Sequence, residues 1–270
     1  MPELPEVETT RLGIVNHLKG QKIIQASVYH AGLRWPVPSE LPSLVKNKII
    51  HDITRRGKYL LFHLKNGTIL IHLGMSGSLR LTDKKTGRDP YEHVEFRIGK
   101  YFLRLRDPRR FGAVLWTSDN PELHPLLAKL GPEPLESEFN TDYLYKKSRK
   151  RQCAIKDLLM NSQIVAGLGN IYVNESLYVA GIRPTRTAGK LRCDESDKLV
   201  KAIKKILEKS LKAGGTTLRD FSGSSGEPGY FKQQLLIYGR DGEKCTKCKT
   251  KIKRIKQGQR SSFYCPTCQR

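Results

Sequence analysis

Four cysteines constrain the end of this chain more tightly than any other feature. Cys245 and Cys248 are separated by two residues, sixteen residues follow, and Cys265 and Cys268 repeat the spacing. Two such knuckles place four thiolates around one tetrahedral ion, and Zn2+ is the ion this donor set suits. Two disulfides or an iron-sulfur centre are the alternatives; a reducing compartment disfavours the first and the paired-knuckle spacing the second. Because protein fills all four positions, no place remains for a catalytic water, and the expected role of the ion is structural, holding a β-hairpin. The segment between the knuckles, KTKIKRIKQGQRSSFY, carries four lysines, two arginines and no acid. That suits a finger that grips phosphate. Cys153 and Cys193 are left over as ordinary thiols.

Positive charge is not confined to the finger. Lysine and arginine number 49 against 26 acidic residues, a formal net charge of +23 on 270 residues. An ordinary metabolic enzyme has no reason to carry such an excess, so a polyanion is the expected partner, nucleic acid foremost. Charge alone leaves open a ribosome-bound or merely basic protein. No apolar run approaches the roughly 18 residues of a membrane span, and the start, MPELPEVETT, is acidic where a signal peptide is basic and then apolar. The expected location is therefore the cytoplasm or the nucleoid, with no membrane.

The length suggests two or more domains, and the periodicity changes along the chain. From Pro5 to Leu18 the apolar positions Val7, Ile14 and Leu18 recur at helical spacing, with Pro5 fit for the first turn and Gly20 for the stop. Residues 23 to 117 run as short segments (IIQASVY, IIHDIT, KYLLFHL, TILIHL, VEFRI, YFLRLR, AVLWT) separated by Gly, Pro, Asp or Asn, the pattern of an antiparallel sandwich or barrel. Beyond GPEPLESEF, at 131–139, helical periodicity follows in AIKDLLM, NIYVNESLYVAG and SDKLVKAIKKILEKSLKAG. Residues 214–231 are too rich in Gly and Ser for regular structure throughout and read as a long loop. The expected class is α+β: an N-terminal antiparallel β-sandwich with flanking helices at 1–132, a helical domain at 133–235 and a four-cysteine hairpin at 236–270.

MPELPEVETTRLG, HLGMSGSLR, DPRRFGA, LGPEPL, GLGNIYVNE, GGTTLRDF, PGYF and the terminal finger occur in this order from residue 2 to residue 270. Together they resemble the formamidopyrimidine-DNA glycosylase family of bacterial base-excision enzymes. The resemblance implies a bifunctional glycosylase and abasic-site lyase for oxidised purines, acting on damaged double-stranded DNA; a monomer is expected, because one lesion offers no symmetry to match. It implies that Met1 is removed and that the nitrogen of Pro2 attacks C1′ of the lesion. An α-amino group titrates near pH ~7.7 to 8.0, so much of it is already the neutral nucleophile. Glu3 is implied as the acid/base, with Glu6 helping to position water and the amine. Lys58 resembles the lysine that contacts the lesion phosphate and assists β-elimination, and Arg260 the finger arginine that clamps the lesion phosphates.

A base must leave the duplex before its C1′ can be reached, and the hole must be filled. Met75 and Phe111 match the family's wedges, and Arg109 the guanidinium that faces the orphaned base and favours cytosine. By pattern alone, Met75 and Phe111 read more readily as core residues, an alternative that their Gly-flanked loop setting weakens. GLGNIYVNE resembles a helix-two-turns-helix element in which Asn170 and backbone N–H groups at a helix start grip phosphate. Lys156 and the run 146–151, with Arg151, read as further phosphate contacts; Tyr91 matches a DNA-contacting position loosely, and His93 competes with it. The loop at 214–231, with Arg219, corresponds to the segment that closes over the everted base. The rivals are a sister branch that prefers oxidised pyrimidines and a non-catalytic zinc-finger DNA binder.

Overall fold

The computed structural model describes residues 2–82, 87–214 and 234–270. Two compact units divide them: residues 2–128 with 213–214, and residues 129–212 with 234–270.

The first unit opens with helix α1, Leu4–Leu18, with Pro5 in its first turn, where a missing N–H costs nothing. Strands β1 (Ile23–Val28), β2 (Asp52–Arg56), β3 (Tyr59–Leu64), β4 (Gly67–His72), β5 (Ser78–Thr82), β6 (Glu92–Ile98), β7 (Tyr101–Arg106) and β8 (Ala113–Thr117) follow, with the short helix α2, Leu41–Val45, between β1 and β2. They form two antiparallel four-stranded sheets, ordered β1-β6-β7-β5 and β2-β3-β4-β8. Ile23, Phe96, Ile98 and Leu103 of the first sheet share one core with Phe62, Ile69 and Ile71 of the second. This is the expected sandwich, with each sheet turning its apolar face inward. Val7, Ile14 and Leu18 of α1 join the same core, so the start of the chain is anchored by burial. Strand β5 is absent from the segments legible in the sequence, which treated SLRLT as part of a Gly-flanked motif.

The second unit contains α3 (Thr141–Ser148), α4 (Ile155–Met160), α5 (Asn170–Ala180), α6 (Cys193–Lys212) and the hairpin β9 (Lys253–Gln257) with β10 (Arg260–Tyr264). Helix α4, the turns at 161–169 and α5 make the helix-two-turns-helix. Gly181, at φ +74, ends α5 in the left-handed conformation that favours glycine.

Helix α5 is the spine of this unit. Asn174 accepts the Phe263 N–H at 2.8 Å, and the buried Glu175 carboxylate accepts the N–H groups of Leu236, Ile237 and Tyr238 at 2.9, 2.9 and 2.8 Å. Burial pushes the Glu175 carboxyl up, opposed by these three donors and by the Arg240 charge. Glu175→Ala would leave three N–H groups without their acceptor, at about 1 to 3 kcal/mol for each that stays dry. We predict a loss of at least about 3 kcal/mol, read as a lower midpoint of thermal unfolding; a change below about 1 kcal/mol would contradict the anchoring role.

Candidate functional site

Pro2 and Glu3 are buried immediately before and at the N-cap of α1. Glu6, also buried, accepts the Glu3 N–H on Oε2 at 2.9 Å. Its carboxylate thus holds the backbone that follows Pro2, which fits the positioning role and leaves Glu6 too deep for a surface contact with DNA. Glu8 is tied into a separate ion-pair cluster with Arg11 and Arg55. Burial raises its carboxyl, but hydrogen bonds and charge from both arginines hold it below the ordinary carboxylate range.

Lys58 lies in the two-residue turn between β2 and β3. Across the β3–β4 ladder Tyr59 pairs with His72, and their rings lie 4.8 Å apart. Burial above all, and then the charges of Lys58 and Arg34, push the His72 imidazole down to about 4. Its Nδ1 accepts the Gly74 N–H at 3.0 Å, so Nε2 carries the proton in the neutral ring. His72 joins the lysine turn to the loop that displays Met75.

That loop and the one carrying Arg109 and Phe111 are pressed together backbone to backbone. Gly74 sits at φ +64, and a Cβ there would lie 2.4 Å from the Phe111 carbonyl carbon and 2.5 Å from the Gly112 nitrogen. Glycine is required twice over, for conformation and for room. Asp107, fully buried, closes the clamp by accepting the Ser76 hydroxyl at 3.3 Å and the Gly112 N–H at 2.7 Å. The result is that Met75 and Phe111 point outward, 38% and 43% exposed, with the Arg109 guanidinium 5.1 Å from the Phe111 ring centroid. The core alternative for these two side chains is excluded by their exposure.

The other candidates divide by burial. Tyr91 is exposed, whereas His93 is buried and its Nε2 donates to the Asp107 carbonyl oxygen at 2.9 Å. His93 thus braces the Asp107 turn instead of offering a contact to DNA. Lys156 corrects the sequence reading as well. It is 1% exposed, and its ammonium donates to the Ser261 carbonyl at 2.9 Å and the Ser262 hydroxyl at 2.7 Å. A buried ammonium must find such acceptors, so in this structure Lys156 is committed to positioning the hairpin. Asn170, at the start of α5, donates to the same Ser261 carbonyl at 3.1 Å. Arg260 and Arg151 are exposed, and Lys253, Arg254 and Lys256 are exposed cations along β9. Arg219 and nearly all of the 214–231 loop lie outside the described residues.

Sequence reasoning passed over His72, Gly74 and Asp107 as functional positions, although all three stand inside the quoted HLGMSG and DPRRFG blocks. Arg34, whose charge reaches His72, was likewise not singled out in the sequence.

The cysteine sulfurs of residues 245, 248, 265 and 268 all lie within 4.8 Å of one another, Cys245 to Cys268 at 3.9 Å and Cys248 to Cys265 at 3.4 Å. A tetrahedron with Zn–S bonds of about 2.3 Å has edges of about 3.8 Å, so the four thiolates fit one zinc ion. Cys245, Cys265, Ile237, Ile252 and Phe263 form a small core around it. No helix among the described residues is long and apolar enough to cross a membrane.

Two predictions follow from this geometry. The His72 ring should titrate near 4 by NMR; a midpoint near 6.5 would contradict its enclosure. Its depressed value makes the associated stability complete above about 6.5 and lost as pH falls toward 4. Elemental analysis should find one zinc per chain, and a strong chelator should unfold the hairpin and weaken duplex binding at least tenfold, read by circular dichroism and by titration with labelled DNA.

Comparison with known proteins accounts for most of the chain. Family models described as the formamidopyrimidine-DNA glycosylase N-terminal domain, the H2TH domain of the same glycosylase, and the zinc finger found in FPG and IleRS match residues 1–114, 130–222 and 242–270. Formamidopyrimidine-DNA glycosylases of Hahella chejuensis and Pectobacterium atrosepticum are 50% and 52% identical over 271 residues, covering all of both chains. Among solved structures, the Lactococcus lactis FPG mutant G226P bound to a Fapy-dG containing DNA is 34% identical with a TM-score of 0.92, covering 99% of both chains. The MutM (FPG) protein of Thermus thermophilus, 33% identical, covers 99% of this chain and 98% of its own at a TM-score of 0.90. Ordered domain matches, half-identical full-length relatives and a shared fold together make this chain a member of the formamidopyrimidine-DNA glycosylase family.

Proposed function

We propose that this protein is a base-excision repair enzyme that removes oxidised purines, formamidopyrimidines and 8-oxoguanine, from double-stranded DNA and then cleaves the strand. The observation that supports this most is the clamped display of Met75, Arg109 and Phe111. Two apolar side chains held in water beside a guanidinium suit wedges and an orphan-base reader, since unstacking a duplex costs a few kcal/mol and leaves a gap to fill. Related structures are complexes with a Fapy-dG containing DNA and with a carbocyclic 8-oxo-G containing DNA.

In this reading Met1 is removed and the Pro2 nitrogen attacks C1′ as the glycosidic bond breaks, the base leaving with a proton. Loss of the nitrogen's own proton and opening of the sugar give an iminium that a secondary amine cannot discharge by losing N–H. The cation acidifies C2′; removal of that proton expels the 3′ phosphate, and a second elimination expels the 5′ phosphate. Glu3 relays protons at the helix start, Glu6 holds the adjoining backbone, and Lys58 contacts the lesion phosphate. Asn170, Arg151, Tyr91 and Arg260 bind backbone phosphate, with Lys156 and His93 acting from behind as supports. The protein works as a monomer in the bacterial cytoplasm, on the nucleoid when bound to DNA. The closing of 214–231, with Arg219, over the base remains part of the proposal.

Borohydride trapping on a duplex with one 8-oxoguanine opposite cytosine tests the reading, with mass spectrometry to place the adduct. A cross-link at Pro2 is expected. An adduct only with an oxidised-pyrimidine duplex would move the protein to the sister branch, and none with either would leave a non-catalytic binder. Pro2→Gly should weaken both steps, and an uncleaved N-terminal tag should abolish them.

A further inference from the structure

Helix α5 presents one polar stripe to the finger, residues 170, 174 and 178, spaced four apart and so aligned on one face. Asn170 holds the Ser261 carbonyl and Asn174 the Phe263 N–H, both backbone groups of β10. Tyr178 ends the stripe and does something different. Its side chain is fully buried, and its hydroxyl oxygen lies 3.2 Å from Cys245 Sγ and 3.0 Å from the Thr246 hydroxyl.

We propose that Tyr178 is a positioning residue of the zinc centre, its hydroxyl donating a hydrogen bond to the Cys245 thiolate and so helping to retain the metal. Proton counting sets the direction. A cysteine that ligates zinc has no proton to give, so the one hydroxyl proton of Tyr178 goes to sulfur, and Thr246 donates its own to the Tyr178 oxygen. Chained donors polarise one another, which strengthens the bond that ends on sulfur. The Lys247 ammonium, 4.8 Å from the Tyr178 ring centroid, draws charge from the ring and acts in the same sense. Donors to a metal-bound ligand fix its orientation and spread its charge. Here the donor comes from the helix whose first residue is Asn170, so metal retention and the phosphate-facing helix start share one rigid element.

Tyr178→Phe keeps the ring and deletes only the hydroxyl. In the full-length protein, zinc affinity measured by chelator competition should fall about tenfold, the lower end of the 10- to 100-fold range for outer partners of metal ligands. In cobalt-substituted protein, the thiolate-to-cobalt charge-transfer band should move to longer wavelength, because sulfur lone pairs rise in energy when a hydrogen bond is lost. Both changes are required. An unmoved band overturns the proposal even if affinity falls, since packing alone would then account for the loss; affinity within twofold of wild type overturns it even if the band moves. The inference rests on zinc occupying the four-cysteine site, which the metal content of the unaltered protein measures separately.

Discussion

A buried carboxylate allows two apolar side chains to stand in water. Asp107 accepts hydrogen bonds from Ser76 in one loop and Gly112 in the other, and His93 braces its carbonyl from the neighbouring strand. Met75 and Phe111 would lose little by folding inward if these loops were free. The constraint is local, dry and polar, and such networks are worth most when every member is satisfied. The sandwich core behind them serves chiefly to keep the clamp rigid.

The second unit solves a similar problem by another route. A hairpin of two five-residue strands is marginal in water, and this one carries exposed lysines and arginines whose mutual repulsion opposes its closure. Three supports offset this: the four thiolates, the buried ammonium of Lys156 against residues 261 and 262, and the polar stripe of α5. Charge is thus kept outside while the backbone is held from inside. Lys156 illustrates how a cation in a basic protein can serve as an internal strut.

The sandwich was legible because KYLLFHL, TILIHL and YFLRLR are short apolar, aromatic and β-branched runs bounded by Gly, Asn or Asp, and α1 because Val7, Ile14 and Leu18 keep helical phase. Strand β5 was not legible: SLRLT is short and follows a glycine-rich turn that masks its start. Helix α3 was not legible either, because Leu144 is its only buried apolar residue and the lysines of its last turn read as a plain charge run. Its one local signal is Asn140, whose side chain caps the Tyr143 N–H. At the site, residue types disclosed the chemistry but not the depth. Nothing in AIKDLL says that the lysine faces inward, and nothing in EHVEF says that the histidine does; both follow from packing between elements far apart in sequence. The cysteine spacing needed no such help, since four thiolates at those intervals have few other uses.

The contact between Gly74 and the Phe111–Gly112 backbone has a mechanical consequence. Side chains that meet through their tips can slide past one another, but two main chains in contact with no Cβ between them share a footing. Met75 and Phe111 therefore behave as the two prongs of one fork, their separation set by the handle and not by what they strike. A displacement of either loop is carried to the other through Asp107, so the spacing of the two prongs has a fixed gauge.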